Sequence, residues 1–336
     1  MTTPTTPTAP VPVLDVDGLR ITLPGLARPL VDGVHLTVAP GETVALVGES
    51  GSGKSLTSRA ALGLLPPGAS TTGTVRVAGR DVLAMAPAER GRLRADTAAM
   101  VFQDPRAAVN PLRRIGDFMT ESVVLTGAMS RAHARARAAE LLRSVGLDET
   151  LLRARPGQVS GGMLQRVVIA AALMGSPALL LADEPTTALD AAGQAEAIAL
   201  LTELRRAHGT GMLFVTHDLD LAAAVADRVY VMYAGRIAET GPADALFRRP
   251  RHPYTAALLA CGPRLDGPRG RLPVIEGLPP DPREPLPGCA FAARCGHATE
   301  ICDTRAPDTT PAPDRPAQRA ACHHADRLEG SAPRAH

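Results

Sequence analysis

The sequence predicts an α/β fold in which a mainly parallel sheet carries helices on both faces. Two observations lead to this prediction. A short apolar run at 44–47 is followed by a glycine-rich loop and then by a helical pattern at 56–62. Further along the chain, strand-like apolar runs alternate with amphipathic helical stretches, which is the order that builds parallel sheets. Two regions depart from this alternation, a helical stretch in the middle and a proline-rich segment at the end.

Composition describes a globular chain. Its 336 residues are 45% hydrophobic and 21% charged, which is ample for a buried core. A net charge of +2 argues against nucleic acid as a partner and against a polybasic membrane anchor. We expect no transmembrane helix, because no run of about 18 apolar residues exists, and no signal peptide. The expected compartment is the cytoplasm, where the five cysteines would serve metal binding or chemistry rather than disulfides.

The N-terminal elements are expected to form an antiparallel sheet that leads into the loop. Residues 1–11 are rich in proline and threonine and predict a disordered tail. Alternating apolar residues at 13–23 and 30–38 predict two half-exposed antiparallel strands. A further strand-like run at 73–79 follows the first helix, and a buried strand is expected at 98–102.

Helices dominate the middle of the chain, and strands then return. An inserted helical subdomain is expected at about 106–174, with its clearest amphipathic helix at 131–145. After it we expect a strand at 178–182, a helix at 194–206, a second strand at 212–216 and a last strand at 228–233. We therefore expect one domain at 12–246 and a small cysteine-containing extension at 247–336.

The loop after the first buried strand has the G-x-x-x-x-G-K-[ST] pattern of a phosphate-binding P-loop. Its members are Gly48, Glu49, Ser50, Gly51, Ser52, Gly53, Lys54 and Ser55. The glycines let the backbone curl so that successive N–H groups face phosphates at the start of a helix. Lys54 is the only lysine in the chain and is expected to reach the β- and γ-phosphates, while Ser55 ligates Mg²⁺.

An acid pair follows the strand at 178–182. The apolar strand ends in Asp183 and Glu184. We expect Asp183 to hold Mg²⁺ through water and Glu184 to act as the general base on the attacking water. An acid pair at a strand end can also be merely structural, but the P-loop upstream favours the catalytic interpretation.

A second glycine-rich helix start lies between these motifs. Ser160, Gly161 and Gly162 open a helix whose N-terminus also suits an anion. The segment 159–166 resembles the signature motif of ABC transporter ATPases, with Val159 for the usual Leu and Met163 for the usual Gln. A single γ-phosphate cannot easily use two such helix starts. A head-to-tail dimer resolves this, because each signature then faces the P-loop of the other subunit.

The remaining motifs complete a resemblance to ABC transporter ATPase subunits over about residues 12–245. Gln103, at a strand end before the helical insertion, resembles the Q-loop glutamine. Asp190, in the segment 187–190, resembles the D-loop, and His217 resembles the switch histidine at the γ-phosphate. The resemblance implies ATP as the nucleotide, Glu184, His217 and Gln103 as catalytic residues, and Ser55, Gln103 and Asp183 around Mg²⁺.

The resemblance also implies the partners. These are a second ATPase subunit, identical or different, two transmembrane permease subunits and, indirectly, an extracytoplasmic solute-binding protein. The expected location is peripheral, on the cytoplasmic face of the cell membrane. One feature departs from the family pattern, because no Phe, Tyr or Trp precedes Phe102. The adenine-stacking aromatic expected near Leu23 is therefore missing, and adenine would pack on an aliphatic face.

The C-terminal extension resembles that of the oligopeptide/dipeptide/nickel importers. The matching segments are 247–255, which contains His252-Pro253-Tyr254, then 275–280 and 288–295. This implies an importer motor, with dipeptides, oligopeptides, nickel or a related small solute as cargo. The alternatives are an ABC export ATPase and, with less support, a non-transport ABC ATPase.

Four cysteines of the extension form a candidate metal site. Cys289, Cys295, Cys302 and Cys322 are spaced by 6, 7 and 20 residues, and Cys261 stands apart. A proline-rich segment without an obvious core would gain stability from a metal staple. Four thiolates suit either a [4Fe–4S] cluster or Zn²⁺, and the resemblance favours the cluster. Unligated thiols, or a mixed zinc site with His323 or His324, remain open.

Overall fold

A computed structural model describes residues 11–186, 191–261 and 274–328. Residues 1–10 of the predicted tail lie outside the described residues, as do Asp190 and the rest of 187–190. The strands are β1 (Leu14–Thr22), β2 (Val31–Val38), β3 (Thr43–Val47), β4 (Ser70–Val77), β5 (Arg80–Asp81), β6 (Ala98–Val101), β7 (Leu179–Asp183), β8 (Gly211–Thr216), β9 (Arg228–Tyr233), β10 (Arg236–Pro242), β11 (Thr309–Pro311) and β12 (Arg319–Ala321). The helices are α1 (Lys54–Ala60), α2 (Pro87–Asp96), α3 (Pro105–Ala108), α4 (Ile115–Leu125), α5 (Arg131–Ser144), α6 (Gly161–Ala172), α7 (Ala191–His208), α8 (Leu219–Val225), α9 (Ala243–Arg248), α10 (Pro253–Ala260), α11 (Glu300–Thr304) and α12 (Ala325–Leu328).

The strands form two sheets. A four-stranded antiparallel sheet has the order β2-β1-β4-β5, and an eight-stranded sheet has the order β11-β12-β10-β9-β3-β8-β7-β6. The five strands from β9 to β6 run parallel, whereas β10, β12 and β11 add antiparallel partners at one side. The predicted α/β fold with a separate antiparallel sheet is confirmed.

The helical insertion has its own apolar core between α3 and α6. Helices α4, α5 and α6 pack on one another through side chains that are almost completely buried, among them Ile115, Met119, Leu142 and Val167. Each such side chain stabilises the fold by roughly 1.5–3 kcal/mol relative to exposure. This core continues onto the face of the central sheet through Leu180 and Phe214.

The parallel strands end together at one edge of the sheet. Val47 of β3 pairs with Thr216 of β8, and Asp183 of β7 pairs with Val215. Val101 of β6 pairs with Ala182 in the same direction. Because ligands of open α/β sheets bind beyond the carboxyl ends of the strands, this edge places the loops after β3, β6, β7 and β8 around one site.

The C-terminal extension continues the central sheet. Strand β12 pairs with β10 through Glu239 and Ala320, and β11 pairs with β12. The side chains of Tyr254 and Phe291 join the apolar core on the β9 side of the sheet. Periodicity did not predict β11 and β12, because strands of three residues are too short to show alternation.

Candidate functional site

The P-loop wraps around the ammonium group of Lys54. Gly48, Gly51 and Gly53 have φ angles of 148°, 77° and 104°, which favour glycine. A Cβ at Gly48 would lie 2.1 Å from the carbonyl oxygen of Met232, so any side chain there would displace the loop from β9. Lys54 Nζ donates to the carbonyl oxygens of Gly48 and Glu49, both at 2.8 Å.

Lys54 is nearly buried, with 5% of its surface exposed. Burial lowers the pKa of Lys54 from its ordinary value, and the negative charges of Glu184, Asp183 and Glu49 oppose that shift. The lysine at the centre of the loop is therefore surrounded by backbone carbonyls and three carboxylates. Its charge is placed where a polyphosphate would offer further partners.

Ser55 and Asp183 meet at the start of α1. Ser55 Oγ donates to Asp183 Oδ1 at 2.8 Å, and Arg59 lies 3.3 Å from Asp183 Oδ2. Asp183 is 2% exposed, and these contacts give its buried carboxylate oxygens partners. A hydroxyl and a carboxylate are the oxygen donors that Mg²⁺ prefers, and these residues fit the ion expected from the sequence. The sequence analysis did not single out Arg59, which lies one turn along α1 from Ser55.

Glu184 is the meeting point of the three predicted catalytic residues. Its Oε2 lies 3.2 Å from Gln103 Nε2, which donates to it, and 3.3 Å from His217 Nδ1. The backbone of Glu184 has a φ of 49°, and its N–H donates to the carbonyl oxygen of Val215 at 2.9 Å. A left-handed conformation at a residue other than glycine costs about 1–3 kcal/mol and is common at active sites. Their catalytic roles stay predictions.

An open cleft of about 980 Å³ lies in front of these residues. Its polar lining includes Lys54, Ser55, Gln103 and Glu184. Its apolar lining consists of Leu30, Leu56, Leu64, Leu65, Pro66 and Phe102. The apolar part of the cleft wall is thus mostly aliphatic. The aromatic side chain in it is Phe102, which directly precedes Gln103. Sequence reasoning looked for an aromatic near Leu23 and did not identify Phe102 as part of the cleft.

The signature residues are not part of this cleft in the single chain. Ser160 begins α6 as its N-cap, with its Oγ accepting from the Met163 N–H at 3.3 Å. A Cβ added at Gly161 or Gly162 would meet no atom within 4 Å, so the helix start is open. The cleft is lined by other residues. Asp190 lies outside the described residues.

The C-terminal extension contacts the P-loop at Glu49. Arg294 forms an ion pair with the Glu49 carboxylate, with Nη1–Oε2 and Nη2–Oε1 distances of 2.8 and 3.1 Å. The Glu49 N–H donates to the Tyr254 hydroxyl at 2.8 Å. Sequence reasoning missed these contacts, because the partners lie more than 200 residues apart along the chain.

The His-Pro-Tyr segment is held by a buried carboxylate. Glu239 of β10 is fully buried and accepts from the N–H groups of Arg251 and His252, both at 2.9 Å. His252 Nδ1 in turn accepts from the Tyr254 N–H at 3.0 Å and caps α10. Burial raises the pKa of Glu239 and lowers that of His252 to about 4. The segment therefore fixes Tyr254 beside the P-loop.

The four predicted cysteines line one small cavity in the extension. Cys289, Cys295, Cys302 and Cys322 share it with the imidazoles of His252, His297, His323 and His324. Burial, together with the neighbouring thiols, raises the pKa of Cys289 and Cys295 and brings that of Cys322 to about 11. Within 11–186, 191–261 and 274–328, no group of three or more His, Cys, Asp or Glu side chains is placed to hold a metal ion. Cys261 lies apart, at the end of α10.

The fold and the cleft define a class of protein, the ABC-type nucleotide-binding cassette. The ABC transporter family matches residues 31–187, and the oligopeptide/dipeptide transporter C-terminal region matches residues 238–302. A dimeric ATP-binding cassette solved in a post-hydrolysis state with ADP and Pi superimposes with a TM-score of 0.60. It is 28% identical and covers 68% of this chain and 98% of its own.

Two relatives with assigned functions are ATP-binding proteins of peptide transport. The dipeptide transport ATP-binding protein DppD of Bacillus subtilis (strain 168) is 43% identical over 304 residues, which are 89% of this chain and 91% of the relative. The oligopeptide transport ATP-binding protein OppD of Salmonella typhimurium is 42% identical over 299 residues, 88% of this chain and 89% of the relative. The chain belongs to the ABC transporter family, among the ATP-binding proteins with the oligopeptide/dipeptide C-terminal region, and is an ATPase. In the part of the chain that the structure describes, every helix is too short or too polar to cross a membrane.

Proposed function

We propose that the chain is the ATP-hydrolysing motor of an importer for dipeptides or oligopeptides. The observation that carries this proposal is the combination of two features in one chain. A cleft with Lys54, Ser55 and Glu184 at the strand ends is joined to an extension of the oligopeptide/dipeptide type. The relatives named for dipeptide and oligopeptide transport support peptides as the cargo class. A related small solute such as nickel is the second cargo considered from the sequence.

In the proposed reaction each residue of the cleft has one task. Lys54 exchanges its bonds to the Gly48 and Glu49 carbonyls for bonds to the β- and γ-phosphates of ATP. Ser55 and Asp183 would hold Mg²⁺, which would neutralise charge on the phosphates. Glu184 takes a proton from the attacking water, and Gln103 and His217 orient its carboxylate.

The open start of α6 supports a dimeric motor. Ser160, Gly161 and Gly162 form an open helix start that does not line the cleft of their own chain. In the proposed head-to-tail dimer they face the γ-phosphate in the partner subunit. Two permease subunits then transmit the closure across the membrane, with an extracytoplasmic binding protein delivering cargo. The motor lies on the cytoplasmic face, with domains at 12–246 and 247–336.

The cysteine cavity supports a metal centre as the second part of the proposal. Four thiols share one cavity, and the raised pKa values of Cys289, Cys295 and Cys322 favour their protonated form unless a cation compensates the thiolates. We propose a [4Fe–4S] cluster held by Cys289, Cys295, Cys302 and Cys322, with Zn²⁺ as the alternative. Metal analysis and visible absorbance of anaerobically purified protein distinguish the two, and a colourless, zinc-loaded sample excludes the cluster.

The transport proposal is tested by uptake. The chain is expressed with the permease and binding-protein genes that adjoin its own, in cells that lack peptide importers. Labelled di- and tripeptides should accumulate, and accumulation should stop when Lys54 is replaced by Ala. Peptide efflux, or ATP-dependent uptake of nickel without peptide uptake, would contradict peptide import while leaving the ATPase intact.

A further inference from the structure

The extension holds the P-loop through a partly buried ion pair. Arg294 faces the Glu49 carboxylate with both terminal nitrogens, at 2.8 and 3.1 Å. The Arg294 side chain is 6% exposed and that of Glu49 is 24% exposed, so solvent screens this pair less than a surface pair. A two-point contact between guanidinium and carboxylate also fixes orientation, because both groups are planar. The Glu49 side chain is thereby held in one direction.

Arg294 is itself held in place by several groups of the extension and the sheet. Its Nε donates to the Glu276 carbonyl oxygen at 2.9 Å, and Nη2 donates to that of Ile275 at 3.0 Å. Nη1 also donates to the Tyr233 hydroxyl at 3.1 Å. The guanidinium lies 5.7 Å from the Tyr233 ring centre and 5.8 Å from that of Phe291. The Arg294 guanidinium therefore cannot turn away from Glu49 without losing these contacts.

Tyr254 holds the backbone of the same residue. Its hydroxyl accepts from the Glu49 N–H at 2.8 Å, and its side chain is fully buried. The Tyr254 ring packs against Tyr233 and Phe291, with ring centres 4.5 and 5.4 Å apart. The chain contains three tyrosines, five phenylalanines and no tryptophan, so a large share of its aromatic side chains is gathered behind the P-loop.

These contacts meet on the peptide units that hold Lys54 in place. The carbonyl oxygen of Glu49 accepts from Lys54 Nζ at 2.8 Å. The N–H of Glu49 donates to the Tyr254 hydroxyl, and the Glu49 carboxylate pairs with Arg294. We propose that Arg294 and Tyr254 are positioning residues of the nucleotide site. They set the shape of the P-loop before ATP binds, so that the loop backbone needs little rearrangement when Lys54 turns from the Glu49 carbonyl to the phosphates.

The inference rests on the ATPase activity of this cleft and predicts a specific kinetic signature. Arg294→Gln removes the positive charge and the paired N–H donors of the guanidinium but keeps a long polar side chain. In steady-state hydrolysis by the full chain, KM for ATP should rise about tenfold while kcat changes less than twofold. Arg294→Lys should recover part of the affinity, because one charged donor can still reach Glu49. A merely structural role would lower the active fraction and leave KM unchanged.

Two further variants separate positioning from folding. Tyr254→Phe keeps the ring in the aromatic cluster and removes only the acceptor of the Glu49 N–H, so it should raise KM in the same way. The Arg294→Gln/Tyr254→Phe pair should be less than additive, since both residues act on Glu49. The matched control is Arg283→Gln, because Arg283 is exposed and pairs with Asp281 within the extension. It should keep the wild-type KM.

The proposal is overturned by an unchanged KM in both Arg294→Gln and Tyr254→Phe. If Arg294→Gln does not fold, Tyr254→Phe decides alone, with binding of a fluorescent ATP analogue as the readout. Failure of the ATPase assignment looks different. In that case the wild-type chain itself neither binds nor hydrolyses ATP, and no variant can be ranked against it.

Discussion

The nucleotide cleft and the cysteine extension are built in different ways. The cleft takes Lys54, Asp183, Gln103 and His217 from short motifs that directly follow parallel strands or, for Asp183, end one. The sheet alone brings them together, because its strands end at one edge. In the part that the structure describes, the extension has only short strands and helices. Its four cysteines line one cavity with Phe291 and His252, and the extension joins the sheet through the buried Glu239 and the pairing of β12 with β10.

The difference predicts different consequences for substitutions in the two regions. Residues of the cleft rest on a rigid sheet, so their replacement should change chemistry and leave the fold intact. Residues of the extension rest on a few buried polar contacts, and their replacement should change stability first. Arg294 and Tyr254 lie in the extension but contact the P-loop. For these two residues we therefore expect a change in KM for ATP, and not only a change in stability.

The largest expected effect is on the cleft side. Glu184→Gln removes the proposed base and keeps the shape of the side chain, so ATP binding should persist while hydrolysis falls by about 10²–10⁴-fold. The measurement is steady-state phosphate release together with nucleotide binding. The thermal unfolding midpoint should stay close to that of the wild type, because the cleft residues rest on a rigid sheet.

Glu140→Gln is the matched control for that variant. Glu140 lies on α5, is exposed and pairs with Arg137. Its replacement should leave hydrolysis within about twofold, as expected for an exposed ion pair far from the chemistry. Hydrolysis that persists in Glu184→Gln would remove Glu184 from the role of general base.

A second effect concerns stability of the extension against acid. His252 is buried, and burial lowers its pKa to about 4 from an ordinary value of 6.5. A lowered folded-state pKa means that its contribution to stability is present above pH 6.5 and is lost as the pH falls toward 4. The loss over that interval is about 3 kcal/mol, since one pKa unit corresponds to about 1.4 kcal/mol.

The variant His252→Asn tests this expectation. The asparagine oxygen can still accept from the Tyr254 N–H at the start of α10, but it does not titrate. Urea unfolding at pH 7 and pH 4.5 should therefore show a smaller loss of stability in the variant than in the wild type. His208→Asn, at the exposed end of α7, should behave as the wild type. Equal pH dependence in all three proteins would contradict the assignment to His252.

The smallest expected effect concerns the base of the nucleotide. The cleft wall is mostly aliphatic, and loss of the usual aromatic stack near Leu23 corresponds to about 1 kcal/mol. GTP should therefore compete with ATP about fivefold better than it does in a relative that carries the aromatic. The measurement is inhibition of ATP hydrolysis by GTP in both proteins. Equal competition would show that Phe102 or the aliphatic wall discriminates the bases as well.

Much of the fold could be predicted from the sequence because its signals are local. The P-loop at 48–55 stands between a buried strand and a helix, and both were found within a few residues of their predicted positions. Amphipathic spacing also predicted α5, at Arg131–Ser144. The predicted site residues Gln103, Glu184 and His217 could be named because each stands at a strand end in the ordered set of motifs that resembles ABC transporter ATPases. Their approach to 3.2 and 3.3 Å could not be predicted, since it depends on strand order.

The sequence by itself determined the family motifs, the parallel sheet and the types of residue available for chemistry. These follow from patterns within a few residues of one another, where spacing translates directly into strand, loop or helix. Only the tertiary structure decided that Tyr254 and Arg294 reach Glu49, and that the four cysteines share their cavity with His252. Contacts between residues more than 200 positions apart depend on how β10 and β12 pair and on which buried polar groups find partners. No local pattern encodes that choice.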